Sequence, residues 1–179
     1  MATNSFAMRM IGAASLDAAI YEEVEADQTA TGQALAVVVL SSVAAGVGAR
    51  GFDGASFGNI VLFTIIAVMA WAAWALVTLQ IGGRLMPEPQ TRVDMGELLR
   101  TIGFATAPGV LRVFGIIPGV TGPAFAIAAI WMFLAMIIAV RQALDYRSTA
   151  RAVVVCGLGW ILSLLLSFVL GLMFGRPVS

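Results

Sequence analysis

Four long blocks of this chain, residues 28–49, 54–83, 113–140 and 152–175, hold no charged residue, and a shorter block at 101–111 holds none either. A membrane-spanning helix needs about 20 consecutive apolar residues, and each long block reaches that length. The basic residues number ten, all arginine, and they fall almost entirely in the gaps between blocks. With 60% of its 179 residues hydrophobic and 11% charged, the chain is too apolar for a water-soluble domain, in which about a quarter of residues carry charge. The expected fold is therefore all-α, a polytopic membrane helix bundle of five transmembrane helices preceded by an N-terminal amphipathic helix.

The side-chain inventory excludes most chemistry. There is no histidine, which removes the commonest general base, proton shuttle and transition-metal ligand and leaves conventional haem ligation without its usual axial ligand. Cys156 is the single cysteine and has no disulfide partner or C-x-x-C spacing. No acidic residue falls inside an expected span, no Ser-His pair exists, and no G-x-x-x-x-G-K-[ST] loop is present for nucleotide phosphates. The expectation is a protein that is not an enzyme, with no catalytic residue, cofactor, metal or nucleic-acid partner. Membrane lipids, and either a second copy of the chain or another integral membrane protein, are the expected partners.

Residues 5–27 place Phe6, Met10, Ala13, Ile20 and Val24 at near-helical spacing, with Asp17, Glu22, Glu23, Glu25 and Asp27 on other faces. One arginine against five acids makes this segment a poor partner for anionic lipid, so the short amphipathic helix over 1–27 is expected to dock on the chain's own arginine loops. A membrane domain over 28–175 follows, with spans at about 31–49, 58–81, 98–117, 123–140 and 152–175, and then a short tail at 176–179. The start, Met1 to Met10, lacks the pattern of a removable signal peptide. Trp71 and Trp74 lie near the middle of their block, where packing against another helix is their expected use. The stretch 82–97, with Gly82, Gly83, Pro87, Pro89 and five charges, has the composition of an aqueous loop.

The third segment is uneven. Between Leu98 and Pro123 the apolar run carries helix-breaking positions at Gly103, Pro108, Gly109, Pro118 and Gly119, compatible with a kinked span or a re-entrant hairpin. Charge asymmetry favours a crossing. If the segment crosses, Arg9, Arg84, Arg92, Arg100, Arg141, Arg147 and Arg151 share a side against Arg50, Arg112 and Arg176, seven to three, the direction expected for a cytoplasmic N-terminus. If it returns, the tally is six to four. The expectation is a multi-pass protein of the cell inner membrane, N-terminus cytoplasmic and C-terminus outside.

Two further features invite a role. Gly159, Ser163, Ser167, Gly171 and Gly175 recur at four-residue intervals along the last span, a small-residue stripe suited to close helix packing. Arg112 is the ionisable residue placed within the membrane region, where such a side chain either serves function or snorkels to the interface; Asp53, expected on the same outer side, is its candidate ion-pair partner.

The run LLRTIGFATAPGVLRVFG from Leu98 to Gly115, the helix around Ile130 and Trp131, and the returning RQALDYRSTARAVVVCGLG together resemble the Yip family of five-span membrane proteins, named for interaction with Ypt/Rab GTPases. Gly103 to Pro108 resembles that family's Gly-Ala-x-x-Ala-Pro break. The resemblance implies a cytoplasmic N-terminal segment and five clustered spans. Eukaryotic members are associated with vesicle trafficking, Rab binding and shaping of tubular membranes, but the short N-terminal region here leaves little surface for a GTPase, and the composition looks bacterial. What the resemblance implies for this chain is a non-enzymatic scaffold or accessory subunit. The competing expectation is a small-solute or ion channel or transporter built on the proline-broken third segment.

Overall fold

The structure, a computed structural model, describes residues 4–54 and 57–174, with side chains described at 4–49 and 58–165. Every regular element among them is helical, as a chain that must satisfy its own backbone hydrogen bonds in lipid requires. The N-terminal segment forms two helices where one was expected: α1 over Phe6–Ala14 and α2 over Ala18–Ala26. The break has a local cause. Leu16 takes a left-handed backbone with φ 63°, and the Asp17 carboxylate accepts the Ala19 N–H at 3.0 Å as the cap of a new helix. The chain thereby folds back, Ile20 of α2 lying against Gly12 of α1.

Four longer helices follow: α3 over Ala30–Gly54, α4 over Phe57–Thr78, α6 over Thr121–Ala143 and α7 over Thr149–Phe174. Three stretches, Ala30–Ala49, Gly58–Leu85 and Thr121–Ala143, are long and apolar enough to cross a membrane, and the described part of α7 adds a shorter apolar helix at Thr149–Leu165. Helix α4 continues into a π-helical stretch, Leu79–Leu85. Its end is held by Tyr146, whose hydroxyl lies 2.9 Å from the Gly82 carbonyl and 2.7 Å from that of Met86. A π-helix pairs each carbonyl with the N–H five residues on; for Gly82 that residue is Pro87, which has no N–H, and this buried phenol supplies a donor instead.

The third segment is two pieces. Helix α5 spans Met95–Phe104 and opens on a capping box, the Asp94 and Glu97 side chains each accepting the other's backbone N–H. A 3-10 helix then spans Ala107–Ile116. Pro108 has no N–H to donate to the Phe104 carbonyl four residues back, and the α-helical bond pattern gives way there to the tighter one. Thr106 Oγ1 takes up the Gly103 carbonyl at 2.7 Å.

This broken segment is the centre of the packing. Its path runs beside α3 in the same direction: Gly103 faces Ala34, Gly109 faces Ser41, and Gly115 faces Gly48. Helix α6 returns antiparallel to both, with Thr121 Oγ1 donating to the Gly115 carbonyl at 2.6 Å and Met132 beside Gly109. Ala34, Val37, Phe104, Ala107, Ala135 and Ala139 meet in one buried cluster. Alanine dominates it because small side chains let helices in lipid approach closely, where dispersion contacts supply the association energy.

Candidate functional site

Two regions bring the chain's unusual side chains together: the junction where the α1–α2 hairpin meets the bundle, and the broken third segment. At the junction Arg9 is 1% exposed. Its guanidinium pairs with Glu23 at 2.9 Å and Asp27 at 2.7 Å and donates to Gln33 Oε1 on α3 at 3.1 Å. A buried guanidinium is tolerated only when its donors are met by carboxylates and further acceptors, and here α2, its C-terminal cap and α3 supply them. Hydrogen bonds from Thr29 and Arg9 hold the Asp27 carboxyl down at about 2. Burial works against ionisation of Glu23, but hydrogen bonds from Asn4 and Arg9 prevail and lower its pKa.

Arg100 performs a second closure. Its Nε lies 3.0 Å from the Val24 carbonyl and 2.9 Å from that of Glu25, and Nη2 also donates to Glu25. These are terminal carbonyls of α2, left without intrahelical partners, and a cation there also complements the helix dipole. The expected docking of the acidic segment on arginine is thus made largely through its backbone, and by an arginine of α5. Gln142 Nε2 adds a bond to Glu22 Oε1 at 2.7 Å.

Between hairpin and bundle lies a polar cavity of about 470 Å³, lined by Glu22, Glu25, Glu97, Arg141, Gln142 and Asp145 among others. Glu25 is pushed up to about 7, first by burial and then by the like charges of Glu97 and Asp145, against the attraction of Arg100. Among the described residues no group of three or more His, Cys, Asp or Glu side chains is arranged to hold a metal ion.

In the broken segment Pro108 and Gly109 are buried. A Cβ added at Gly103 would stand 2.7 Å from Ala34 Cβ, and one at Gly109 would collide with Ser41 Oγ. Gly48 on α3 is the reciprocal position, because a Cβ there would strike the Arg112 carbonyl. Pro118 is exposed, and Gly119 turns the chain with φ 81°, a conformation that favours glycine. Arg112 places Nη2 3.1 Å from Met132 Sδ and its guanidinium 5.7 Å from the Phe125 ring centroid, while its buried Nε lacks a hydrogen-bond partner. The side chain of Asp53, its candidate partner, lies outside the described residues.

On α7, Gly159 is buried under the Trp74 indole, 2.9 Å from where a Cβ would stand. Ser163 Oγ donates back to the Gly159 carbonyl at 2.9 Å. The side chain of Ser167, the surroundings of Gly171, and Gly175 altogether lie outside the described residues, as does the tail 176–179. Trp71 Nε1 donates to the Leu99 carbonyl at 3.0 Å and Trp131 Nε1 to the Ala14 carbonyl at 2.7 Å. Each ties one apolar helix to a neighbour.

The architecture has a match. The profile of the Yip1 domain covers residues 17–171. The chain belongs to the Yip1 domain family. Neither a curated protein nor a solved structure matches it. The Yip1 domain takes in α2, both pieces of the third segment and most of α7. It therefore includes Arg100, Arg112 and the glycines that seat the third segment. Arg9, whose partners Glu23 and Asp27 are inside it, lies before its first matched residue.

Sequence reasoning missed Arg9, Glu25, Gly48 and Tyr146 as structural keys. The signal for Arg9 was weak but present: an isolated basic residue in an otherwise apolar stretch, followed by an acidic one. Nothing in the sequence placed Gly48 opposite Arg112.

Proposed function

We propose that this Yip1-domain protein is a non-enzymatic membrane scaffold or accessory subunit, acting through helix packing with a second copy or with another integral membrane protein. One observation carries the reading. The broken segment, where a channel or carrier would hold solute, is seated so closely on α3 and α6 that Gly103 and Gly109 leave no room for a methyl group. The outward surface is apolar by contrast: from Trp160 to Leu165 every residue of α7 is exposed, and α4 exposes Leu62, Ile65, Ile66 and Met69. Apolar helix faces of this kind suit lipid and neighbouring helices alike. The accompanying topology is that of an inner-membrane protein with five crossings, N-terminus cytoplasmic and C-terminus outside, supported by the arginine distribution.

The stripe on α7 provides the test. Replacing Gly171 and Gly175 with leucine is expected to abolish crosslinked oligomers or partner capture in native membranes while membrane insertion stays intact. Unchanged crosslinking and unchanged assembly size would count against packing as the mode of action. Robust solute flux by the purified protein in proteoliposomes, lost on altering Pro108, would overturn the scaffold reading in favour of transport.

A further inference from the structure

Helix α1 carries its polarity in the opposite sense to a helix on an aqueous surface. Such a helix turns charge outward and apolar residues inward. In α1 the only charge, Arg9, is buried against Glu23 and Asp27, whereas Met8 and Ile11 stand 57% and 62% exposed. Ala7 is exposed beside them. The inward face holds Phe6, Met10 and Ala13 against the core, so both faces are apolar and the one charge of the helix is turned inward, toward carboxylates of α2 and its C-terminal cap that stay partly exposed.

The outward face of α1 does not end at its own edge. Its last residues adjoin α6, where the Trp131 N–H is satisfied by the Ala14 carbonyl. Ala14, Leu16, Ile130, Trp131 and Leu134 line one shallow apolar depression. Ile130 and Leu134 belong to the exposed band of a helix long and apolar enough to cross a membrane, a band that faces lipid. The surface of α1 continues it sideways. The five acids that would resist lipid all lie at Asp17 or beyond, on α2 and its flanks, and Glu22 reaches Gln142 at the arginine-bearing end of α6.

We propose that α1 is inserted into the leaflet next to the N-terminus, its Ala7, Met8 and Ile11 face in contact with lipid acyl chains, while α2 presents its carboxylates to headgroups and water. The segment thus divides by helix, one half apolar and one half acidic. As a single amphipathic helix of net negative charge it would be repelled by anionic lipid; folded as a hairpin, it keeps every acid but Asp17, the cap at the turn, on α2 and its C-terminal flank. The proposal rests on the reading of α6 as a membrane span.

Single-cysteine variants in a Cys156→Ala background, each carrying an environment-sensitive fluorophore and reconstituted as the full chain in phosphatidylcholine vesicles, test it. Met8→Cys and Ile11→Cys are expected to be quenched several-fold more by acyl-chain nitroxides than by aqueous iodide. Glu22→Cys is expected to show the reverse order. Leu134→Cys is the reference for α6, and quenching of its label by acyl-chain nitroxide establishes that the span faces lipid. If Leu134 reads lipid while Met8 and Ile11 read water, insertion of α1 is overturned and the membrane reading stands. If neither quencher reaches Met8 or Ile11, a protein neighbour covers the face and the proposal fails likewise. A Leu134 label that reads water overturns the proposal and the span together. Two sites on one face guard against a variant that misfolds.

Discussion

Gly32 and Gly109 are both helical glycines, yet opposite consequences follow from adding one methyl group to each. At Gly109 a Cβ collides with Ser41 Oγ and stands 2.9 Å from Met132 Sδ, so the 3-10 helix must move away from α3 or α6. Overpacking of this kind costs about 1–3 kcal/mol. At Gly32 a Cβ meets nothing within 4 Å, and the better helix propensity of alanine contributes about 0.5–1 kcal/mol. Gly109→Ala is therefore expected to lower the thermal midpoint in detergent and Gly32→Ala to raise it. Shifts of the same sign would show that the close seat on α3 is not what limits stability. Arg9 gives a charged counterpart. Arg9→Met keeps most of the buried bulk and removes the donors for Glu23, Asp27 and Gln33. Amide hydrogen exchange over residues 4–27 is expected to accelerate by about tenfold or more, the factor for losing a single charge-assisted hydrogen bond. Exchange unchanged from that of the parent would mean the hairpin is held by its apolar contacts alone.

The hairpin as a unit responds to pH through Glu25, which faces Glu97 and Arg100 from α5, Arg141 and Asp145 from the end of α6 and its loop, and Glu22 from its own helix. Its carboxyl rises from 4.5 to about 7 when the hairpin is docked. A raised carboxyl pKa means that the docked state binds more protons, so this contribution is full below 4.5 and is lost as pH climbs through about 7. Asp27 has the opposite sign, because its lowered pKa supports docking above 3.8 and that support fades as pH falls toward about 2. Hydrogen exchange in α2 is accordingly expected to quicken between pH 5 and pH 8 beyond the intrinsic chemical rate, and Glu25→Gln is expected to flatten that rise. An equal rise in the Glu25→Gln protein would place the titration elsewhere. None of this was readable from the linear pattern. Helical periodicity in residues 5–27 reported the apolar positions correctly, but a chain reversal at Leu16 depends on a left-handed residue and a competing Asp17 cap. The meeting of Glu25 with Glu97 and Asp145 depends on that reversal.

Long-range order was legible to the extent that solvent preference decides it. Uncharged runs report where lipid replaces water, so α3, α4, α6 and α7 lie where the blocks do, and Pro108 foretold the end of α5 because a missing N–H is a local fact. Register between helices is not local. Gly48 matters only because Arg112 and Gly115 arrive opposite it, and Tyr146 matters only because the Gly82 carbonyl waits in a π-helical turn. The same register bears on how many times the chain crosses. Ala34 pairs with Gly103, Ser41 with Gly109 and Gly48 with Gly115, so the third segment advances with α3 step for step along its length. A re-entrant hairpin would reverse partway and pair its second limb with earlier residues of α3. The turn at Pro118 and Gly119 should therefore emerge on the face that α3 reaches at Ala49, away from the loops at 82–97 and 141–151. In a Cys156→Ala background, Pro118→Cys is expected to react with a membrane-impermeant thiol reagent from outside intact cells, and Arg92→Cys and Arg147→Cys only after the membrane is opened. Labelling of Arg147→Cys from outside, or of Pro118→Cys only after opening, would leave the chain with four crossings and a third segment that turns back. The arginines would then divide six to four, a weaker bias than the seven to three of five crossings.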